Sequence, residues 1–153
     1  MKRPSQIPIP KKYSISIIDE ATSYTVDKYQ QIRISLVRKE SNGISTEMGY
    51  VRIEGRASKG FETHSFLRPS LRGKGYGALL YGIAIQYCLD KDIKIGSSHY
   101  PSDQAIRLWD SNLLKSNFNI RKTYSKDAQS FHFRVLGSRK NNIFKQHNFL
   151  RYK

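Results

Sequence analysis

The chain has one cysteine, five prolines, one tryptophan and few acids, and no segment reaches the roughly 20 apolar residues that span a bilayer. A single cysteine excludes an internal disulfide. Cys88 lies in the most apolar stretch of the chain, where a thiol packs as a small hydrophobe. The opening MKRPSQIPIPKK is basic but holds no apolar run of signal length, so the expectation is a soluble, cytoplasmic protein with no membrane association. The histidines, at 64, 99, 132 and 147, have no metal-ligand spacing, and no metal site is expected.

Asp and Glu number 12 against 27 Lys and Arg, a formal net charge of +15. More than half of the excess lies at the ends. Residues 1–12 carry Lys2, Arg3, Lys11 and Lys12 and no acid, and residues 137–153 carry Arg139, Lys140, Lys145, Arg151 and Lys153 and no acid. Such ends either serve as solvated tails or seek a polyanion: RNA, DNA or an acidic protein. The expected organisation is an extended basic arm over 1–12 (with Pro4, Pro8 and Pro10), one folded domain over 13–136 and a basic tail over 137–153. A chain of 153 residues is long enough to bury a core on both faces of a sheet.

What the chain does have is a pattern that changes period midway. Tyr13–Ile18, Gln31–Arg38, Glu47–Arg56 and Phe61–Leu67 alternate apolar with polar residues, or mix β-branched and aromatic ones, as half-buried strands do. Only Asp19–Tyr29 leaves room for a helix among them. After Pro69, Tyr76–Leu89 has helical length and almost no charge, the composition of a buried helix. Ile93–Ser98 predicts a short strand parallel to the one ending at Leu67. Pro101–Ser116 places Ala105, Leu108, Trp109 and Leu113 on one helical face, with Ser102 as a cap. Phe118–Tyr124 and Ser130–Leu136 predict a hairpin. The fold class is α/β in the α+β sense: a mixed, mostly antiparallel central sheet with flanking helices.

Between the fourth strand and the long helix stands Arg72-Gly73-Lys74-Gly75-Tyr76-Gly77. Glycines tolerate positive φ and carry no Cβ, so such a turn can aim successive N–H groups at one point. The helix start adds partial positive charge, which makes an anion site suited to phosphate. No glycine-lysine pair is followed by Ser or Thr, which excludes a Walker loop. Gly73, Gly75 and Ala78 fit the loose dinucleotide pattern, but the next strand ends Gly96-Ser97-Ser98-His99 without the ribose-holding acid, against a nicotinamide site.

The stretch resembles motif A of the GNAT superfamily of acyl-CoA dependent N-acyltransferases. Arg72, Gly75 and Gly77 fill its signature, and Leu67-Arg68-Pro69-Ser70-Leu71-Arg72-Gly73-Lys74-Gly75-Tyr76-Gly77 follows the approach found in many members. Ser102-x-x-Ala105-x-x-Leu108-Trp109, with Asn117-Phe118 after it, is similar to the family's other recurring segment. The likeness covers roughly residues 61–118. It implies a GNAT-type fold, acetyl-CoA as cofactor, and an acetyl group moved to an amine. It also implies cofactor contacts from Leu67, Arg72, Gly73, Lys74, Gly75, Tyr76, Gly77, Ser102 and Trp109. Trp109 departs from the pattern, because many members hold a tyrosine acid there and an indole has no proton to give. A base is expected on the strand before the loop, which offers Glu62 and His64. These point to one face of a regular strand, opposite Thr63, Ser65 and Leu67. Tyr100, Ser97, Ser98, Tyr124 and His99 are candidates for the acid. The alternative reading is a GNAT-fold binding module acting on nucleic acid or a partner protein with little or no catalysis.

Overall fold

The structure, a computed structural model, describes residues 9, 11–21 and 27–146. The alternating segments form strands β1 (Tyr13–Ala21), β2 (Tyr29–Lys39), β3 (Ser45–Arg56) and β4 (Gly60–Leu67), paired antiparallel in that order. Their register puts Ile15, Ile17, Ile32, Ile34, Leu36, Val51, Ile53 and Phe61 on one face, and all are buried.

The opposite face is polar and held by side-chain pairs. Arg33 donates to both Glu47 oxygens, at 2.9 and 2.6 Å, and its guanidinium lies 3.9 Å from the centre of the Tyr50 ring. Arg52 lies 3.5 Å from Glu54, and Tyr29 donates to Glu54 at 2.6 Å.

Helix α1 (Tyr76–Asp90) is buried continuously from Leu79 to Cys88, as its all-round apolar composition requires. It packs on β2 and β3 on one side and is covered on the other by the short helices α2 (Asp103–Trp109) and α3 (Asn112–Asn117) and by a 3-10 turn over Ile143–Gln146. Strands β5 (Phe118–Ser125) and β6 (Ser130–Ser138) form a separate hairpin. The architecture is therefore mixed α+β, with a four-stranded antiparallel sheet, a two-stranded sheet and modest helix content.

Three local expectations are corrected. The single helix over Pro101–Ser116 is two helices, because Ser111 adopts an extended conformation and its hydroxyl caps Leu114 N–H at 3.4 Å, starting a new helix. The stretch Ile93–Ser98 makes only isolated bridges, Phe61 with Ile95 in parallel and Gly96 with Arg134 antiparallel. The domain also does not stop at Leu136. Strand β6 continues to Ser138, buried Asn142 donates to Gln86 at 2.7 Å, and Phe144 is fully buried against Gly82 and stacked 5.7 Å from Phe118. A Cβ on Gly82 would lie 2.1 Å from the Phe144 ring. In the Asp19–Tyr29 segment, β1 runs to Ala21 and β2 starts at Tyr29, with Ala21 paired to Gln30. Residues 22–26, most of the 1–12 arm and residues 147–153 lie outside the described residues.

Two predictions follow from this packing. Phe144→Ala should cost about 3–5 kcal/mol in urea unfolding, the range for a buried aromatic; a loss near zero would return 139–146 to a tail. The Arg33 hydrogen bond, aided by Ser35 and opposed by burial, holds the Glu47 carboxyl below its usual range. Its stabilisation is complete above the ordinary Glu value of about 4.3 and is lost as pH falls through the lower folded value. Glu47→Gln should be less stable than the parent at neutral pH, and the gap should close in acid melts.

Candidate functional site

Strand β4 is paired with β3 along its length, but its other edge is paired only at its start. Gly96 N–H donates to the Phe61 carbonyl at 3.2 Å. At the next position, where a backbone N–H would donate to continue the ladder, the Thr63 hydroxyl instead donates to the Gly96 carbonyl, at 2.7 Å. Beyond that bond the chain at Ser97 turns to the hairpin, donating to the Phe133 carbonyl at 2.9 Å. The two strands part. Among the described residues, no backbone partner takes the outward N–H groups of Ser65 and Leu67.

A cavity of about 240 Å³ lies along this open edge. Ser65, Phe66 and Leu67 form one wall, Arg72, Gly73, Gly75 and Gly77 one end, Ala78 and Tyr81 of α1 the floor, and Ser102, Gln104, Ala105 and Leu108 of α2 the far wall. Among the described residues, no acidic side chain lines it. At the loop end, Gly73 and Gly75 take φ of +78° and +88°, and Gly75 is the N-cap of α1. From Gly73 through Ala78, no backbone N–H finds an acceptor of good hydrogen-bond geometry among the described residues; the first intrahelical bond runs from Leu79 to Gly75 at 3.1 Å. Arg72 Nε donates to the Leu67 carbonyl at 3.0 Å, which ties the loop to the end of β4; the rest of the guanidinium has no hydrogen-bond or ion-pair partner among the described residues. Gly77 lets α2 approach, since a Cβ there would lie 2.9 Å from Leu108 Cδ2.

Of the residues nominated from sequence, Leu67, Arg72, Gly73, Gly75, Gly77 and Ser102 line this cavity. Ser102 Oγ accepts from Ala105 N–H at 3.1 Å as the α2 cap, so its own hydroxyl hydrogen remains to donate. Lys74 and Tyr76 stand in the loop and at the helix start but do not line the cavity, and Tyr76 packs 6.1 Å from Tyr13. Trp109 is not at the site. It is 1% exposed, edge-on to Tyr81 at 5.5 Å and stacked on Phe133 at 5.8 Å, a core residue.

The nominated catalytic residues are not brought to the cavity. Glu62 and His64 lie on the polar outer face of the sheet, 3.7 Å apart, with Glu54 3.8 Å from His64. Strand periodicity alone turns them from the cavity, and β4 pairs with β3 in unbroken register, with no bulge to reverse it. Tyr100 is 70% exposed and does not line the cavity either.

The sequence reading missed Tyr81. Its hydroxyl lies 2.9 Å from Ser65 Oγ, the two line the cavity together, and burial pushes the phenol above its usual pKa, so it stays protonated. One hydroxyl hydrogen joins the pair and the other is left to donate. The signal was there: Tyr81 follows Gly77 by four residues and so shares its helix face.

No protein-family model matches this chain, and neither does any curated protein.

The positive φ at Gly75 gives a test of the loop. A Cβ there meets nothing, yet Gly75→Ala should cost about 1–2 kcal/mol in thermal unfolding, because an L side chain is strained in that region. Gly75→Asn should cost clearly less. Equal effects would mean that the loop does not hold this conformation in solution.

Proposed function

We propose that the protein is an N-acetyltransferase of GNAT type that moves an acetyl group from acetyl-CoA to an amine. The observation that carries the reading is the coincidence of two features in one cavity: a run of unpartnered N–H groups at a glycine turn and helix start, and an open strand edge leading from it. The first suits a pyrophosphate and the second suits an amide-bearing arm laid beside β4 as an added strand. The donor set fits coenzyme A. The N–H groups of Gly73–Ala78 and the Arg72 guanidinium would hold its phosphates, and the Ser65 and Leu67 edge with the Ser102 hydroxyl would hold its amides.

When bound, acetyl-CoA supplies an activated acyl group as a thioester. The protein's task is then placement, which alone accounts for a large part of a rate enhancement. The apolar walls exclude water, and the absence of a carboxylate in the cavity keeps the anionic cofactor from repulsion. The Ser65–Tyr81 pair holds a hydroxyl hydrogen inside the cavity, where it would serve as a proton donor to the bound cofactor's sulfur. This supports a proton donor other than the position of Trp109. The acceptor amine must be neutral to attack, and no side chain lining the cavity is a strong base, so the amine's proton leaves to solvent or to a group outside the cavity.

Acetyl-CoA should raise the melting temperature. At a hundredfold excess over its dissociation constant the stabilisation is about 2.7 kcal/mol. Gly75→Asp, which places a carboxylate among the loop N–H groups in a residue type that tolerates positive φ, should abolish the shift and leave a folded protein. No shift at millimolar acetyl-CoA would remove the reading.

A further inference from the structure

On the other side of the β4 junction lies a second concavity, of about 1070 Å³, formed by the β3–β4 turn, the stretch Lys91–His99 and one face of the β5–β6 hairpin. Its volume lies at the upper end of the range of about 300–1,000 Å³ typical for small-ligand pockets, and its open form admits a length of chain. It is strongly cationic. Lys59, Lys91, Lys94, Arg121 and Arg134 line it, against Glu62 and Asp92.

Arg121 and Arg134 are direct cross-strand partners in the hairpin and both are exposed. Like charges placed opposite each other destabilise a strand pair. The four-stranded sheet contains a similar pair, Arg33 opposite Arg52, but there each arginine has its own carboxylate, Glu47 at 2.6 Å and Glu54 at 3.5 Å. Among the described residues, no carboxylate lies within 4 Å of Arg121 or Arg134, nor of Lys59, Lys91 or Lys94. An anion laid between the two guanidinium groups relieves their repulsion.

The mouth of the groove adds rings to the charges. His99 lines it, its ring 5.1 Å from His132 and edge-on to Tyr100 at 4.6 Å, and Tyr100 is 70% exposed. Cations that track a backbone beside exposed aromatic faces are the means by which single strands of nucleic acid are held. An acidic peptide would satisfy the arginines but would leave the rings unused.

We infer that this groove binds single-stranded nucleic acid, with Arg121 and Arg134 on its phosphates and His99 and Tyr100 against its bases. The site lies on the folded domain, apart from the basic ends. It goes beyond the acetyltransferase reading and stands without it.

The test is fluorescence anisotropy of the full chain with labelled oligo-U and oligo-dT over a salt series, with no cofactor present. Arg121→Gln/Arg134→Gln should weaken binding about tenfold or more and reduce the salt slope by about 1.4, since each single-strand phosphate contact contributes roughly 0.7. The same variant should melt higher than the parent without ligand, which shows relief of the repulsion and a folded protein together. Arg121→Lys/Arg134→Lys should keep the slope, and Lys12→Gln/Lys39→Gln, which removes two charges elsewhere, should reduce neither affinity nor slope as much. Tyr100→Ala should weaken binding with the slope unchanged. Tighter binding of oligo-U than of oligo-dT supports RNA, and equal binding supports either strand through phosphates alone. Unchanged affinity and slope in Arg121→Gln/Arg134→Gln would overturn the inference, as would competition by polyglutamate equal to that by oligonucleotide. Gly75→Asp should bind oligonucleotide as the parent does, so failure of the cofactor site and failure of the groove are separate results.

Discussion

The Thr63 hydroxyl donates to the Gly96 carbonyl at 2.7 Å, and the slot beside the glycine turn and the basic groove lie on either side of that bond. The Gly96 carbonyl takes a side chain in place of a backbone donor and the Ser97 N–H turns to the Phe133 carbonyl, so β4 and the stretch after Ile93 touch once and separate. Gly96 is suited to the junction by its lack of a side chain, because a Cβ there would lie 2.9 Å from the Phe133 carbonyl of β6. The short run Ile95–Ser97 thus joins the four-stranded sheet to the hairpin, Gly96 bonding to β4 and Ile95 and Ser97 to β6, and the gap left on one side becomes the slot beside the glycine turn. The basic groove opens on the other.

The division of charge follows. The slot is lined by backbone donors, hydroxyls and one arginine, with no carboxylate. The groove collects lysines and arginines that outnumber its acids and, among the described residues, form no ion pair within 4 Å. Both favour anions, by different means: the slot through fixed dipoles and a narrow apolar enclosure, the groove through mobile point charges in open solvent. On the acetyltransferase reading, the slot serves the cofactor phosphates. The groove then carries a ligand of its own, and its contacts are far more sensitive to salt.

Much of this was legible in the sequence because the relevant signals are local. Alternation located β1 to β4, and glycine spacing located the turn. Ser102 announced its own cap. Other features were hidden because they depend on residues far apart in the chain. That Trp109 belongs to the core follows from Tyr81 and Phe133, 28 residues before and 24 after it, which enclose it. Tyr81 looked like one more apolar residue of a buried helix until Ser65 was placed opposite it. Ser111 carried a local cap signal that the apolar spacing of Ala105, Leu108, Trp109 and Leu113 masked. Glu62 and His64 had the right chemistry on the right strand, but the pleat decided against them.

The packing of Phe144 on Gly82 bears on how the protein is made. Helix α1 is apolar all round, and one flank of it remains bare until a residue 62 positions later is available to cover it. During synthesis, the glycine turn and its helix leave the ribosome well before their cover does. That flank of α1 is therefore covered late, after nearly all of the described chain has emerged, and the nascent protein passes through an interval in which a greasy helix must be shielded by other means.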